Sequence, residues 1–158
     1  MPDAAPRRAA HDDIPALVEL RALMIETIFG DPAEGEWRSS CARVLAERLD
    51  DTERFVAFVV DGPDGVPVSS GVGWVEQHLP GPRTPSGRFG HIASMSTLPE
   101  HRRQGHGGAV LQALLDWFGS VDVTRVHLHA APAGERLYRS AGFVDRTMPA
   151  LTWSAEQQ

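Results

Sequence analysis

The chain contains no lysine; all 15 of its basic residues are arginines. A Schiff-base lysine is therefore impossible, and so is the lysine on which a P-loop depends. Cysteine is nearly absent too. With Cys41 alone, no disulfide framework and no cysteine-based zinc site can be assembled within the chain. Cys41 falls in a stretch of helical spacing, which suits a small core residue. No apolar run approaches the roughly 18 residues of a membrane span, and the first ten residues lack the apolar segment of a secretory signal. A cytoplasmic location is the expectation. Positive charge is also short: the net charge is −6. An acidic chain is a poor nonspecific binder of nucleic acid, and its field favours a cationic partner such as an amine.

What is present suits one globular domain over residues 1–158. The chain has 158 residues, of which 42% are hydrophobic, enough for a single core. Residues 7–10 read as a short first strand. Asp12 or Asp13 can cap a helix that tolerates Pro15 in its first turn. Ile14, Leu17, Val18, Leu20, Leu23, Met24 and Ile28 give that helix one broad apolar face to about Phe29, and Gly30-Asp31-Pro32 stops it. Trp37, Cys41, Val44, Leu45 and Leu49 predict a second helix. Strands over 55–60 and 69–77 flank a turn-rich segment and predict an antiparallel hairpin. The Pro/Gly-rich loop 79–87 is placed to be a mobile rim around a substrate site. A strand over 90–98, a helix over 105–118, a strand over 125–130 and a helix over 133–141 follow, the last closed by Gly142. Short strands are expected over 143–147 and 151–154.

The segment Arg102-Arg103-Gln104-Gly105-His106-Gly107-Gly108 sits between a strand and an amphipathic helix. A helix start carries unpaired N–H groups and the positive end of the dipole. Glycines let an anion approach those amides, so this unit suits phosphates, and flanking arginines add charge-assisted contacts. The dinucleotide pattern Gly-x-Gly-x-x-Gly would need a third glycine where Val110 stands. The pattern Arg/Gln-x-x-Gly-x-Gly/Ala is matched by Arg102, Gly105 and Gly107. About thirty residues on comes Leu137-Tyr138-Arg139-Ser140-Ala141-Gly142-Phe143.

With the strand 92–100 before the turn and that second signature after it, the chain resembles the GNAT superfamily of N-acetyltransferases. The opening Asp-Asp-Ile-Pro-Ala-Leu is also common there. The resemblance spans nearly the whole chain. It implies a mixed, mostly antiparallel α/β sheet whose fourth and fifth strands splay, flanked by about four helices. It implies acetyl-CoA as co-substrate, a small-molecule or peptide amine as acceptor, and no metal. By the same resemblance Arg103, Gln104, Gly105, His106, Gly107 and Gly108 cradle the pyrophosphate through their amides. Arg102 shapes the turn or touches phosphate, and Met95, Ser96 and Thr97 hydrogen-bond the pantetheine arm. Tyr138, the only tyrosine, stands where the family protonates the departing thiolate.

A general base is less plain. Glu76 on the hairpin is the nearest carboxylate, with His78 and His91 as alternatives of near-neutral pKa. The strand over 90–98 contains no acid, and Ala130-Ala131-Pro132-Ala133 stands where many members carry an asparagine. His127 and His129 alternate along the next strand. Without a third ligand they suit a polar sheet face or cleft lining, with His129 on the acceptor side. Those departures keep a non-catalytic, CoA-sensing module in view. The tail from Leu151 could pair across a homodimer.

Overall fold

One arginine ties three elements together at the start of the fold. In the computed structural model, which describes residues 5–157, strand β1 is only Arg7–Arg8. The Arg7 guanidinium donates to Asp13 at 2.8 and 2.9 Å and to Asp61 at 2.8 and 3.0 Å. It thereby joins β1 to helix α1 (Ile14–Phe29) and to the end of β2 (Phe55–Asp61). The predicted side-chain cap on α1 does not form. Asp13 holds the N-cap position, but its carboxylate accepts from Arg7 and from the Ala10 N–H instead. A bidentate, charge-assisted pair outcompetes a neutral amide for the same oxygens. The hydrogen-bonded Arg7 holds the Asp13 carboxyl below the usual carboxylate range.

Helix α1 ends as predicted at Gly30, whose φ of 70° is left-handed. Helix α2 is Trp37–Leu49. Both pack on one face of the sheet, where Leu17, Val18 and Leu45 meet Phe55, Ala57, Val59 and Val72. The sheet runs β1-β2-β3-β4-β5, antiparallel except for the last pair. Strand β3 is Pro67–Gln77 and β4 is Arg88–Thr97.

Helix α3 (His106–Ser120) covers the other face. Val110, Leu111, Leu114, Trp117 and Phe118 are each at most 4% exposed, and each such burial contributes about 1.5–3 kcal/mol. Phe118 lies directly on backbone. A Cβ at Gly90 would fall 2.5 Å from its ring, and one at Gly73 would fall 3.0 Å away. Two strand glycines therefore set how closely α3 approaches β3 and β4.

The sheet opens beyond this point. Strand β5 is Val126–His127, pairing with β4 only at Gly90↔Val126 and His91↔His127. The sequence predicts a longer strand here, over 125–130. From Ile92 onward, no strand of the described residues joins β4 on that edge. The splay and the four helices are those that the sequence implies. Helix α4 is Glu135–Ser140, shorter at its start than expected, and Gly142 follows at φ 102°.

Two further expectations fail. Residues 143–147 and 151–154 form no strands. Apolar spacing alone does not make a strand: the neighbouring β5 offers a ladder of only two residues. Val144, Met148, Leu151 and Trp153 are left between 74% and 89% exposed. The proline loop contributes no residue to the cleft between β4 and β5. Its ends close through the His78 N–H to Gly87 carbonyl bond at 2.7 Å, Gly81 bridges Thr84, and Thr84 is buried.

Candidate active site

Where β4 and β5 part, a cleft of about 860 Å³ opens, floored by α3 and walled by α4 and the end of α1. Of the residues that the resemblance assigns to the coenzyme, Met95, Ser96, Thr97, Arg102, Arg103, Gly105, His106, Gly107 and Gly108 line it. Gln104 does not, and points to solvent.

The turn is shaped by two left-handed residues, Arg103 at φ 62° and Gly105 at φ 84°. Gly105 is the N-cap of α3, and the Arg102 Nε donates to the Thr97 carbonyl at 3.1 Å. Gly107 and Gly108 are different. Their φ angles are ordinary for a helix, and an added Cβ would meet Leu137 at 3.5 and 3.7 Å, normal contact distances. The fold does not require glycine at either position. His106, at the first helical position, is 7% exposed, and its Nδ1 has no partner among the described residues. An unpaired buried polar atom, free helix N–H groups and three arginines (Arg102, Arg103 and Arg136) make an electropositive pocket in an acidic protein. These features fit the pyrophosphate of a coenzyme.

Strand β4 carries a bulge that its sequence does not announce. Ser70 pairs with Ser96 and Val72 with Ala93, so Gly71 alone faces both Ser94 and Met95. Ser94 sits at φ 56°. The bulge lies in the cleft lining and reverses the facing of the strand: Ala93 packs toward α1 and α2, Met95 toward α3.

Tyr138 is held by the motif that surrounds it. The Phe143 N–H donates to the Tyr138 carbonyl at 3.1 Å, and the Gly142 N–H donates to the Arg139 carbonyl at 3.0 Å. This double closure needs the left-handed Gly142, and it sets the Phe143 ring edge-on to Tyr138 at 6.0 Å. On the other side the tyrosine ring leans over Gly134, where a Cβ would lie 3.0 Å from it. Tyr138 is 8% exposed, lines the cleft, and its hydroxyl makes no hydrogen bond to the described residues. Burial pushes the phenol above its ordinary value.

The family model described as the acetyltransferase (GNAT) family matches residues 22–143. The chain belongs to the GNAT family of acetyltransferases. Comparison with curated proteins returns no match. Among solved structures, the chain is similar to a predicted acetyltransferase with acetyl-CoA from Clostridium acetobutylicum, at 20% identity and TM-score 0.88, with 98% of each chain covered. A GCN5-related N-acetyltransferase from Ralstonia eutropha superposes at TM-score 0.83 and 22% identity, over 95% of this chain and 98% of its own. Glucosamine-6-phosphate N-acetyltransferase from Arabidopsis thaliana does so at TM-score 0.75 and 17% identity, over 95% and 97%. At these identities the likeness is one of fold.

Within this GNAT frame, Glu76 stands apart from the cleft lining. The Trp74 indole donates to one of its oxygens at 2.9 Å, and the His78 imidazole lies 2.9 Å from the other. Those partners, His78 first, hold its carboxyl below the ordinary range. A doubly bonded carboxylate of lowered pKa is a poor proton acceptor. His91, beside it, is half-buried with its ring 4.7 Å from Trp74, and burial pushes its pKa down. His129 lines the cleft; His127 does not. Both border a smaller cavity of about 400 Å³ between β5, α4 and the tail. Among the described residues no three potential ligand side chains gather as a metal site.

Sequence reasoning missed three contributors. Ser94 carried no signal, being a serine within a continuous β run. Arg136 and Gly134 were legible in principle: they precede the signature tyrosine by two and four residues, which on a helix places them at its own end of the cleft.

Proposed function

We propose that this GNAT protein transfers the acetyl group of acetyl-CoA to a primary amine by direct attack, with Tyr138 as the general acid. The observation that carries this is the phenol itself: buried, unbonded, and opening into the same cleft as the glycine turn. The coenzyme, when bound, supplies an activated acyl thioester. The amides at the start of α3, with Arg102 and Arg103, would hold its pyrophosphate. The unpartnered edge of β4 around Met95, Ser96 and Thr97 would hydrogen-bond its arm, supplying what the open sheet lacks. A backbone N–H near the Ser94–Met95 bulge would polarise the thioester carbonyl. The raised pKa of Tyr138 keeps it protonated at neutral pH, so its proton is available to a developing thiolate. The acidic net charge favours a cationic acceptor, a small molecule or peptide rather than nucleic acid. The exposed tail side chains Met148, Leu151 and Trp153 would be covered in a homodimer, which light scattering would detect.

Thiol release from acetyl-CoA across small amines, polyamines, amino acids, aminoglycosides and peptide N-termini tests the reading. Tyr138→Phe should lower kcat roughly 10²-fold with coenzyme affinity unchanged. Equal kcat would remove Tyr138 from the chemistry. The lack of a cleft carboxylate favours a second reading, a CoA-sensing module; it requires calorimetric binding of acetyl-CoA with no turnover on any amine.

A further inference from the structure

An amine that attacks a thioester must shed a proton, and the cleft offers no carboxylate among the described residues to take it. Its lining includes three histidines. His101 and His106 sit with the glycine turn, at the phosphate end. His129 lies beyond β5 and shares the lining with Tyr138 and Ser94. We infer that His129 accepts the acceptor's proton and passes it through one bridging water to His91. This rests on the transferase reading above and names the proton path that it requires.

The geometry is a short series of rings on one sheet face. The centroids of His129 and His91 are 5.9 Å apart at 56°. No direct hydrogen bond joins them, and the gap suits a single water. His91 in turn stacks on Trp74 at 4.7 Å, and the Trp74 indole is pinned by Glu76. The inner histidine is thus fixed while the outer one, exposed at the cleft, meets the substrate. Groups facing His91 come from every neighbouring element: Glu76 on β3 with His78 bonded to it, His127 on β5 with His129 just beyond it, and Arg146 on the tail. Burial is the largest influence on His91 and keeps it neutral. The charges of His129 and Arg146 act the same way, and the Glu76 carboxylate opposes them. A neutral imidazole backed by a carboxylate can take a proton and then carry it briefly. Glu76 acts here as a positioning residue rather than as the base.

The proton balance closes. The N–H bond of the ammonium breaks as an N–H bond forms on His129. The freed amine nitrogen bonds to the acyl carbon as the carbon–sulfur bond breaks. Tyr138 gives its proton to the departing sulfur, and the acylated nitrogen sheds its second proton, which restores the phenol through solvent. His91 releases the amine's proton to solvent.

The experiment is the pH profile of kcat/KM for the best acceptor of the panel, with acetyl-CoA affinity measured in parallel. The wild type should show an acidic limb in the histidine range. His129→Asn should remove that limb and lower kcat/KM at neutral pH roughly 10²-fold, with coenzyme affinity unchanged. His129→Gly should regain activity with added imidazole, which a merely structural role would not permit. His91→Asn should displace the limb, and Glu76→Gln should displace it less, each with under about tenfold loss in rate. A His129→Asn profile identical to wild type overturns the relay and leaves the transferase reading standing. A wild type that turns over no amine overturns both. A loss of rate in His129→Asn that imidazole does not rescue and that leaves the limb in place also overturns the relay.

Discussion

The two halves of the sheet differ in how completely they satisfy themselves. β2 and β3 share a long antiparallel ladder, to which β1 adds a two-residue edge, and α1 and α2 seal that side with buried aliphatic side chains. From β4 onward the ladder shrinks to two residues, a bulge interrupts it, and the strands part. Glycines without a folding purpose, an unpartnered His106 nitrogen and an unbonded Tyr138 hydroxyl all lie in this second half. Unused bonding capacity is concentrated in the second half. A site that must receive a ligand keeps its donors free, and a fold tolerates this only where other contacts carry it.

The sharpest way to break the comparison is to fill space that the fold does not need. Gly107→Ala should raise the melting temperature, since alanine is favoured over glycine in a helix by about 1 kcal/mol. Acetyl-CoA binding should stay within about threefold, because the Arg/Gln-x-x-Gly-x-Gly/Ala pattern admits alanine here and the added Cβ faces Leu137. Calorimetry and thermal melts on the same sample check both; a loss of stability would mean that Gly107 serves packing after all, and a loss of affinity of about a hundredfold that the coenzyme needs the helix start bare.

Gly90→Ala tests the hinge between the halves. Its Cβ collides with Phe118, so α3 must move or the ring must leave its place, at a cost of about 1–3 kcal/mol. Denaturant unfolding should show the loss, and Phe118→Leu in the same chain should restore part of it. A neutral Gly90→Ala would mean that α3 is not anchored on the splay.

In the sealed half, the Arg7 contacts should be worth less, because the guanidinium is 42% exposed. Arg7→Ala should cost about 1–2 kcal/mol at neutral pH. The sign with pH follows from Asp13, whose folded pKa lies below the unfolded 3.8. Its contribution is present above that unfolded value and is lost as pH falls through the lower folded one. Acid titration of the melting temperature should therefore be steeper below pH 4 in wild type than in Arg7→Ala. Equal slopes would remove the pair from the account.

Local patterns made much of the molecule legible in the sequence. The ends of α1 and α2, the β2–β3 hairpin and the apolar face of α3 follow from spacing and from glycines that must be where they are. The glycine turn and the Leu-Tyr signature are legible for the same reason, since each is a contiguous unit whose function lies in its own backbone. The bulge at Ser94 was not, because its cause is the register against Gly71 across the sheet. Nor was the approach of His129 to His91, which depends on where β5 joins β4. The terminal strands do not form: residues 151–154 alternate apolar and polar, but a strand exists only with an edge to join.

The open edge of β4 has a consequence for the lifetime of the protein. An exposed ladder of N–H and carbonyl groups is a template for any extended chain, including another copy of the same one. A coenzyme arm lying along Met95, Ser96 and Thr97 would occupy that template as a removable edge strand. Binding that favours the folded state adds stability of RT ln(1 + [L]/Kd), so the resistance of this protein to unfolding and clumping would rise and fall with the cell's supply of acetyl-CoA.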